Sequence, residues 1–359
     1  MNKPESMRRK YRTALEESFP EEMRIKIGGH ETLYRKRMSL RYGENPHQPA
    51  AFYAPEGQPL TVGDVEMLKT GKRGLSMTNV EDVNNSLRIV SYFEEPACAV
   101  MKHVNPSGVA ARNSLDEPLR ETYTKARDCD ALAAFGSVVG FNTVVDEGTA
   151  EEIMSSYVEG VVAPGYEEGC MEHFEEKKDI RIMQAGGLDA VSRYVGDPLE
   201  PLDINVQMDG SIVLQAPMLT KIRGHGDLRF VTEREATAQE VKDLLFSWYV
   251  CMNVRSNGVV LSKDNATIGI GTGQQDRVTA VRLALEKAAM RGHGDAVPGS
   301  VLASDGFFPF RDSVDLLAEY GITACVQPGG SVKDNEVIEA CNDAEIAMAF
   351  TDERCFRHF

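Results

Sequence analysis

The twelve residues Ala97 to Gly108 read ACAVMKHVNPSG, and their reading decides the fold. The run Ala97-Cys98-Ala99-Val100-Met101 is short, apolar and continuous, as a strand buried on both faces is. Lys102 and His103 then stand side by side, and Asn105-Pro106 with Gly108 predicts that the strand stops there in a polar turn. A polar turn alone would account for an isolated Lys-His pair. In an open α/β sheet, however, the carboxyl end of a buried strand is where ligands and chemistry are placed, which makes the pair a candidate site.

Apolar runs and amphipathic stretches alternate outward from that segment, which predicts an α/β chain. Val80, Val83, Leu87 and Val90 recur at three- and four-residue spacing and predict a helix over Asn79 to Tyr92 with one buried face. Glu151 to Tyr166 repeats helix, strand and proline-glycine turn, closing on VVAPGY. The stretch GDPLEPLD, Gly196 to Asp203, predicts a linker, hence one domain over 1–200 and a second over 201–359. A long helix is predicted over Ala236 to Val250 and a strand from Val259. ATIGIGTGQQDR, Ala266 to Arg277, then leads into a helix with Val278, Val281 and Leu285 on one face. Strand, glycine turn and helix could present backbone N–H groups to an anion. The spacing is neither G-x-G-x-x-G nor a P-loop, so the glycines read as sites of close backbone packing. RGHGD occurs twice, at Arg223 and at Arg291; it favours turns, and the duplication reads as coincidence.

Composition narrows the function classes. Hydrophobic residues at 42% and charged residues at 26% place the chain among globular proteins. The N-terminal MNKPESMRRKYR is charged with no apolar stretch behind it, and no long apolar span follows, so a cytoplasmic protein is expected. Lys plus Arg at 39 against Asp plus Glu at 55 gives a formal net charge of −16, which disfavours nucleic acid and anionic membrane as partners. Seven scattered cysteines without C-x-x-C spacing read as reduced, packed thiols, so neither a disulfide framework nor a metal cluster is expected.

The polar stretches taken together are more specific than any one of them. They are LRYGENPHQ (Leu40–Gln48), KHVNPSG (from Lys102), AAFGSVV (from Ala133), GVVAPGYEE (from Gly160), RSNGVV (from Arg255), IGIGTGQQDR (from Ile268), SDGFFPFRDSVD (from Ser304) and the terminal TDERCFRHF. In this order, from about Ser39 onward, they closely resemble the 5-aminoimidazole-4-carboxamide ribonucleotide (AICAR) formyltransferase part of the bifunctional enzyme that closes purine biosynthesis. The resemblance implies transfer of a formyl group from 10-formyltetrahydrofolate to the 5-amino group of AICAR. It also implies two tandem cytidine-deaminase-like three-layer α/β/α domains and a homodimer with shared active sites.

Carried over position by position, the resemblance implies His103 as general base, Lys102 as stabiliser of transition-state charge, and Asn257 beside them. It implies nucleotide contacts at Arg41, Tyr42, Gly136, Glu159, Asn257, Arg277, Phe307 and Arg354, and folate contacts at Val278, Asp312, Ser331 and Val332. Glu159 departs from the aspartate expected there. The chemistry wants these residue types. The acceptor amine is conjugated to the imidazole and is a poor nucleophile, and a histidine titrating near neutrality can take its proton, typically for about 10²- to 10⁴-fold. An ammonium can meet the negative charge developing on the formyl oxygen. Arginines suit the nucleotide's phosphate because their planar forks bind it in two places, which favours Arg41 and Arg354. Phe307 and Phe308 offer flat walls for the heterocycles.

Two departures shape what is expected. Only about forty residues precede LRYGENPHQ, so the cyclohydrolase domain is expected to be absent and ring closure with it. RGHGDAVPG, Arg291 to Gly299, stands where the family carries a longer insertion, which bears on the folate site. An alkali ion near Asp305 is also compatible with the resemblance. A zinc nucleobase deaminase is a second reading, because His173-Phe174-Glu175 fits H-x-E, but the P-C-x-x-C that should follow is missing. A noncatalytic AICAR-binding paralogue is a third, opposed by the presence of Lys102, His103 and Asn257.

Overall fold

The computed structural model describes residues 16–71, 73–198 and 202–358. The chain divides into two compact units. The first comprises Met1–Pro106, Asp116–Thr124 and Leu132–Asp189; the second comprises Ser107–Leu115, Lys125–Ala131 and Ala190–Phe359. The main division therefore falls before Ala190, and two short pieces of the N-terminal half belong to the second unit. Of the predicted linker, residues 199–201 lie outside the described residues.

In the first unit, β1 (Glu22–Ile27), β2 (His30–Leu40) and β3 (Ala50–Pro55) form an antiparallel sheet in that order. A second set of strands comprises β4 (Glu66–Lys69), β5 (Ala97–Lys102), β7 (Ser137–Phe141), β8 (Val158–Ala163) and β9 (Arg181–Gln184). Their order is β5-β7-β8-β9-β4, with β7, β8 and β9 parallel and β5 and β4 antiparallel to their neighbours. The helices are α1 (Met77–Val90), α2 (Leu119–Asp128, divided between the units after Thr124), α3 (Glu147–Met154) and α4 (Cys170–Glu175). Ser76 caps α1 reciprocally with Asn79, each side chain accepting the other's backbone N–H, at 3.3 and 3.1 Å. The helix lies on β5 and β7, and Gly140 permits the approach, since a Cβ there would meet Ser86 Oγ at 2.3 Å.

One expectation is corrected in this unit. The strand does not stop at Asn105-Pro106: Lys102 ends β5, His103 and Val104 make the turn, and Asn105 opens β6 (Asn105–Ala111). Proline holds the residue before it extended, which suits the start of a strand as well as a turn. α1 buries the one face expected of it, but that face is not purely apolar. It buries Asn79, Asp82, Asn85 and Ser86 along with Val83, Leu87 and Val90, and Val80 is only partly buried. Its polar residues find partners around the Lys102 turn and β8.

The second unit is built on β12 (Arg229–Phe230), β13 (Val259–Lys263), β14 (Ala266–Gly271), β15 (Val301–Ser304), β16 (Ala324–Gln327) and β17 (Ala347–Phe350). Their order is β12-β17-β16-β15-β13-β14-β6, with β15, β16 and β17 parallel. The hairpin β10 (Asp203–Val206) and β11 (Ile212–Gln215) stands apart from that sheet. Helices α5 (Ala238–Cys251), α6 (Arg277–Met290), α7 (Asp312–Glu319) and α8 (Asp334–Asp343) cover it. Val281, Leu285, Leu317 and Val337 of α6, α7 and α8 share one core with Val259, Leu261, Leu302 and Met348. No residue of α5 belongs to that core, and α5 packs on β13, β15 and β16. Side chains alternate across strands, so helices lie on both faces. The unit is thus a three-layer α/β/α arrangement, and the described chain is of mixed α/β class.

The glycines of the ATIGIGTG stretch behave as read. A Cβ on Gly269 would sit 2.3 Å from the Ala284 carbonyl oxygen, and one on Gly271 would sit 2.0 Å from that of Ala280, so α6 packs directly on the β14 backbone. The amino end of α6 is capped from within, by Asp276 accepting the Thr279 N–H at 2.8 Å. All seven cysteines are buried and free. Among the described residues, no helix is long and apolar enough to cross a membrane.

Candidate active site

The turn after β5 is the centre of the first unit's polar cluster. Lys102 is partly buried at the strand end, and its ammonium donates to the Gly136 carbonyl at 2.7 Å. Gly136 has φ +71°, and a Cβ there would meet Lys102 Nζ at 3.0 Å, so glycine both makes the turn and leaves room for the lysine. The Gly136 N–H is in turn held by the Tyr157 carbonyl at 2.7 Å. His103 is exposed, with its backbone in the left-handed region at φ 53°. A strand end thus presents one ammonium against a carbonyl and one imidazole to solvent.

Arg41 and Tyr42 follow β2 and are fixed by the backbone: Arg41 N–H donates to Leu75 O at 2.7 Å, and Tyr42 O accepts from Met77 N–H at 3.0 Å. The Arg41 guanidinium lies 4.6 Å from the Tyr42 ring centroid and donates to its hydroxyl at 3.0 Å. Glu159, on β8, accepts from the Asn79 amide at 3.2 Å and has Arg181 Nη1 3.9 Å away. Burial, then the Arg41 charge, lowers the pKa of Arg181, while Glu159 offsets part of that effect. Asp82 accepts the Val104 N–H at 2.7 Å. Burial pushes the Asp82 carboxyl up to about 6, against the lowering pull of that hydrogen bond and of Lys102.

The second unit gathers a different cluster. Arg277, first residue of α6, is buried and donates to Asp305 at 2.5 Å, Gly258 O at 3.1 Å and the Asn257 side-chain oxygen at 2.7 Å. The Asn257 amide donates to Gln274 O at 2.8 Å, so both ends of that side chain are fixed. Asp305 also accepts from Gly258 N–H at 2.8 Å and from the Ser256 hydroxyl. The carboxylate near which the resemblance allows an alkali ion is thus paired with a guanidinium of its own chain. Arg354 lies over the Phe356 ring at 4.8 Å. Phe307 is exposed and its neighbour Phe308 fully buried, so only the first offers a free face.

The residues expected at the folate are dispersed over the same unit. Val278 is half-buried against the core, Asp312 opens α7 and accepts the Ser313 N–H at 2.7 Å, and Val332 is fully exposed. The Ser331 hydroxyl accepts the Lys333 N–H at 3.1 Å. His173, the residue that raised a zinc site, has its Nε2 3.4 Å from Glu147. Among the described residues no three His, Cys, Asp or Glu side chains are grouped to hold a metal. The two RGHGD copies differ: Asp227 accepts the Arg223 and Gly224 N–H groups, whereas Arg291 pairs with Asp130 and His293 meets the Asp128 carbonyl.

Sequence reasoning missed Asn79, Asp82 and Arg181. Asn79 and Asp82 are three residues apart on α1, a spacing that puts them on one helix face, and that was the available signal. Their partners, Glu159 and Val104, are remote in the sequence.

Comparison with known proteins bears out the family resemblance. Residues 6–287 match the family described as AICARFT/IMPCHase bienzyme. Three relatives carry the name bifunctional purine biosynthesis protein PurH. That of Magnetococcus marinus is 40% identical over 332 residues, 90% of this chain and 60% of the relative. That of Roseobacter denitrificans is 42% identical over 328 residues, 89% and 60%. That of Acetivibrio thermocellus is 39% identical over 345 residues, 96% and 62%. The chain thus spans about 60% of the length of the curated relatives it matches. With most of its length matched by one family and two-fifths of its residues shared with these relatives, the chain belongs to the AICARFT/IMPCHase bienzyme family.

Proposed function

We propose that this chain is an AICAR formyltransferase, moving a formyl group from 10-formyltetrahydrofolate to the 5-amino group of AICAR. The observation that carries the reading is the pairing at the end of β5: a lysine ammonium held on the Gly136 carbonyl beside an exposed histidine on a fixed turn. The AICAR amine attacks the formyl carbon, and a C–N bond forms as charge collects on the formyl oxygen. Lys102 meets that charge, and His103 takes the proton released by the amine. Collapse of the adduct breaks the bond to N10 of the folate, which leaves as tetrahydrofolate after receiving a proton.

The nucleotide contacts expected at Arg41, Tyr42, Gly136 and Glu159 in the first unit, and at Asn257, Arg277, Phe307 and Arg354 in the second, are part of this proposal. So are the folate contacts at Val278, Asp312, Ser331 and Val332, the tandem cytidine-deaminase-like fold and a homodimer. The motifs quoted from this chain resemble those of formyl transfer, and the proposal concerns that step. Purified protein mixed with AICAR and 10-formyltetrahydrofolate should release tetrahydrofolate and accumulate the formylated, unclosed nucleotide. Nucleotide binding without turnover would favour a noncatalytic paralogue, and prompt inosine monophosphate would contradict the restriction to formyl transfer.

A further inference from the structure

His103 and Val104 occupy left-handed backbone in succession, at φ 53° and 66°. Non-glycine residues visit that region rarely, and a β-branched residue there is an outlier. Val104 is also buried, so the conformation is not one of a free loop. Strained positions persist where their surroundings over-determine them. The surroundings here include Asp82, whose carboxylate reaches from α1 to accept the Val104 N–H at 2.7 Å. Asp82 is 6% exposed, and the charged groups bearing on it are Lys102, Glu81 and Glu159. Burial disfavours its ionised form, so the residue is kept there against a local cost.

We propose that Asp82 is a positioning residue for the Lys102–His103 pair: by accepting the Val104 amide it locks the left-handed turn that aims His103 away from the strand end. The proposal rests on reading that pair as the formyl-transfer machinery. A locked turn fixes the imidazole relative to Lys102 before substrate arrives, and misplacement of a catalytic group by about an ångström can cost on the order of 10²-fold.

The test compares three variants of the full chain, with kcat, KM for AICAR and hydrogen exchange over residues 101–108. Asp82→Ala should lower kcat by about 10- to 100-fold with little change in KM, and should speed exchange of the Val104 amide. Asp82→Asn keeps an oxygen acceptor and should recover most of both losses. Val104→Gly placed in the Asp82→Ala background should recover part of kcat, because glycine adopts left-handed backbone without a Cβ clash. A purely structural role would make that double variant worse. Parental kcat in folded Asp82→Ala, or equal impairment of the Ala and Asn variants, would overturn the proposal. Where Asp82→Ala does not fold, Asp82→Asn decides: exchange and kcat near the parental values support the clamp, and loss of both contradicts it. A parental chain without formyl transfer would refute the function while leaving the exchange measurement to decide the clamp.

Discussion

Asp82→Asn replaces a buried carboxyl by an amide of nearly the same shape that can still accept the Val104 N–H. The carboxyl titrates at about 6 in the fold against 3.8 unperturbed, chiefly because it is buried. A carboxyl with a raised folded pKa keeps its proton in the native state where the unfolded chain releases it. Its contribution to stability is therefore complete below pH 3.8 and lost as the pH rises through about 6. The difference, at ~1.36 kcal/mol per pH unit, amounts to ~3 kcal/mol. The amide escapes that loss, so Asp82→Asn should stabilise the first unit by up to ~3 kcal/mol at pH 8, by roughly half as much at pH 5, and by nothing near pH 3. Urea unfolding of parent and variant across that range reads the effect. No gain at pH 8, or a loss, would mean that attraction to Lys102 outweighs the burial penalty, and the reasoning would fail.

Gly271→Ala places a Cβ against the Ala280 carbonyl oxygen, a backbone atom that cannot swing away, and should destabilise the second unit by about 1–3 kcal/mol in thermal unfolding. Arg277→Met leaves the buried Asp305 carboxyl without its cation, and should cost about 3–5 kcal/mol. Adding Asp305→Asn should restore part of that loss, and full additivity of the two changes would refute the pairing. Lys102→Ala should lower kcat, while circular dichroism stays parental because the side chain's named partner is a single carbonyl at a turn. Sedimentation of the active enzyme should give a dimer, and a fully active monomer would contradict the proposed assembly.

What the sequence made legible was the part carried by local pattern. The apolar run of β5 is its own signal, and the glycines of β14 meet Ala280 and Ala284 of α6, the element that follows next in the chain. The helix expected over Ala236–Val250 appears as α5, started by Thr237 in a capping box with Glu240. The β1-β2-β3 sheet was not legible, because β1 and β2 expose much of their length and carry charge on positions that would otherwise alternate cleanly, and β3 is an uncharged, partly buried run without alternation. The hairpin of β10 and β11 likewise exposes Ile204, Val206, Ile212 and Leu214, which no burial pattern marks. The polar lining of α1 was hidden for a different reason. Asn79 reaches Glu159 and Asp82 reaches Val104 only after the sheet is assembled, so neither pairing has a sequence spacing to betray it. Asn105-Pro106 misled because proline's constraint on the preceding residue serves a strand start as well as a strand end.

The central claim is that His103 carries the proton in flight. It is tested most directly by kcat of His103→Ala with AICAR and 10-formyltetrahydrofolate, measured beside AICAR affinity and circular dichroism. The account predicts a loss of about 10²-fold or more in kcat, with folding and nucleotide affinity close to parental, because a base contributes to the transition state more than to the ground state. A folded His103→Ala enzyme turning over near the parental rate would contradict it and would reduce the pair after β5 to a polar turn.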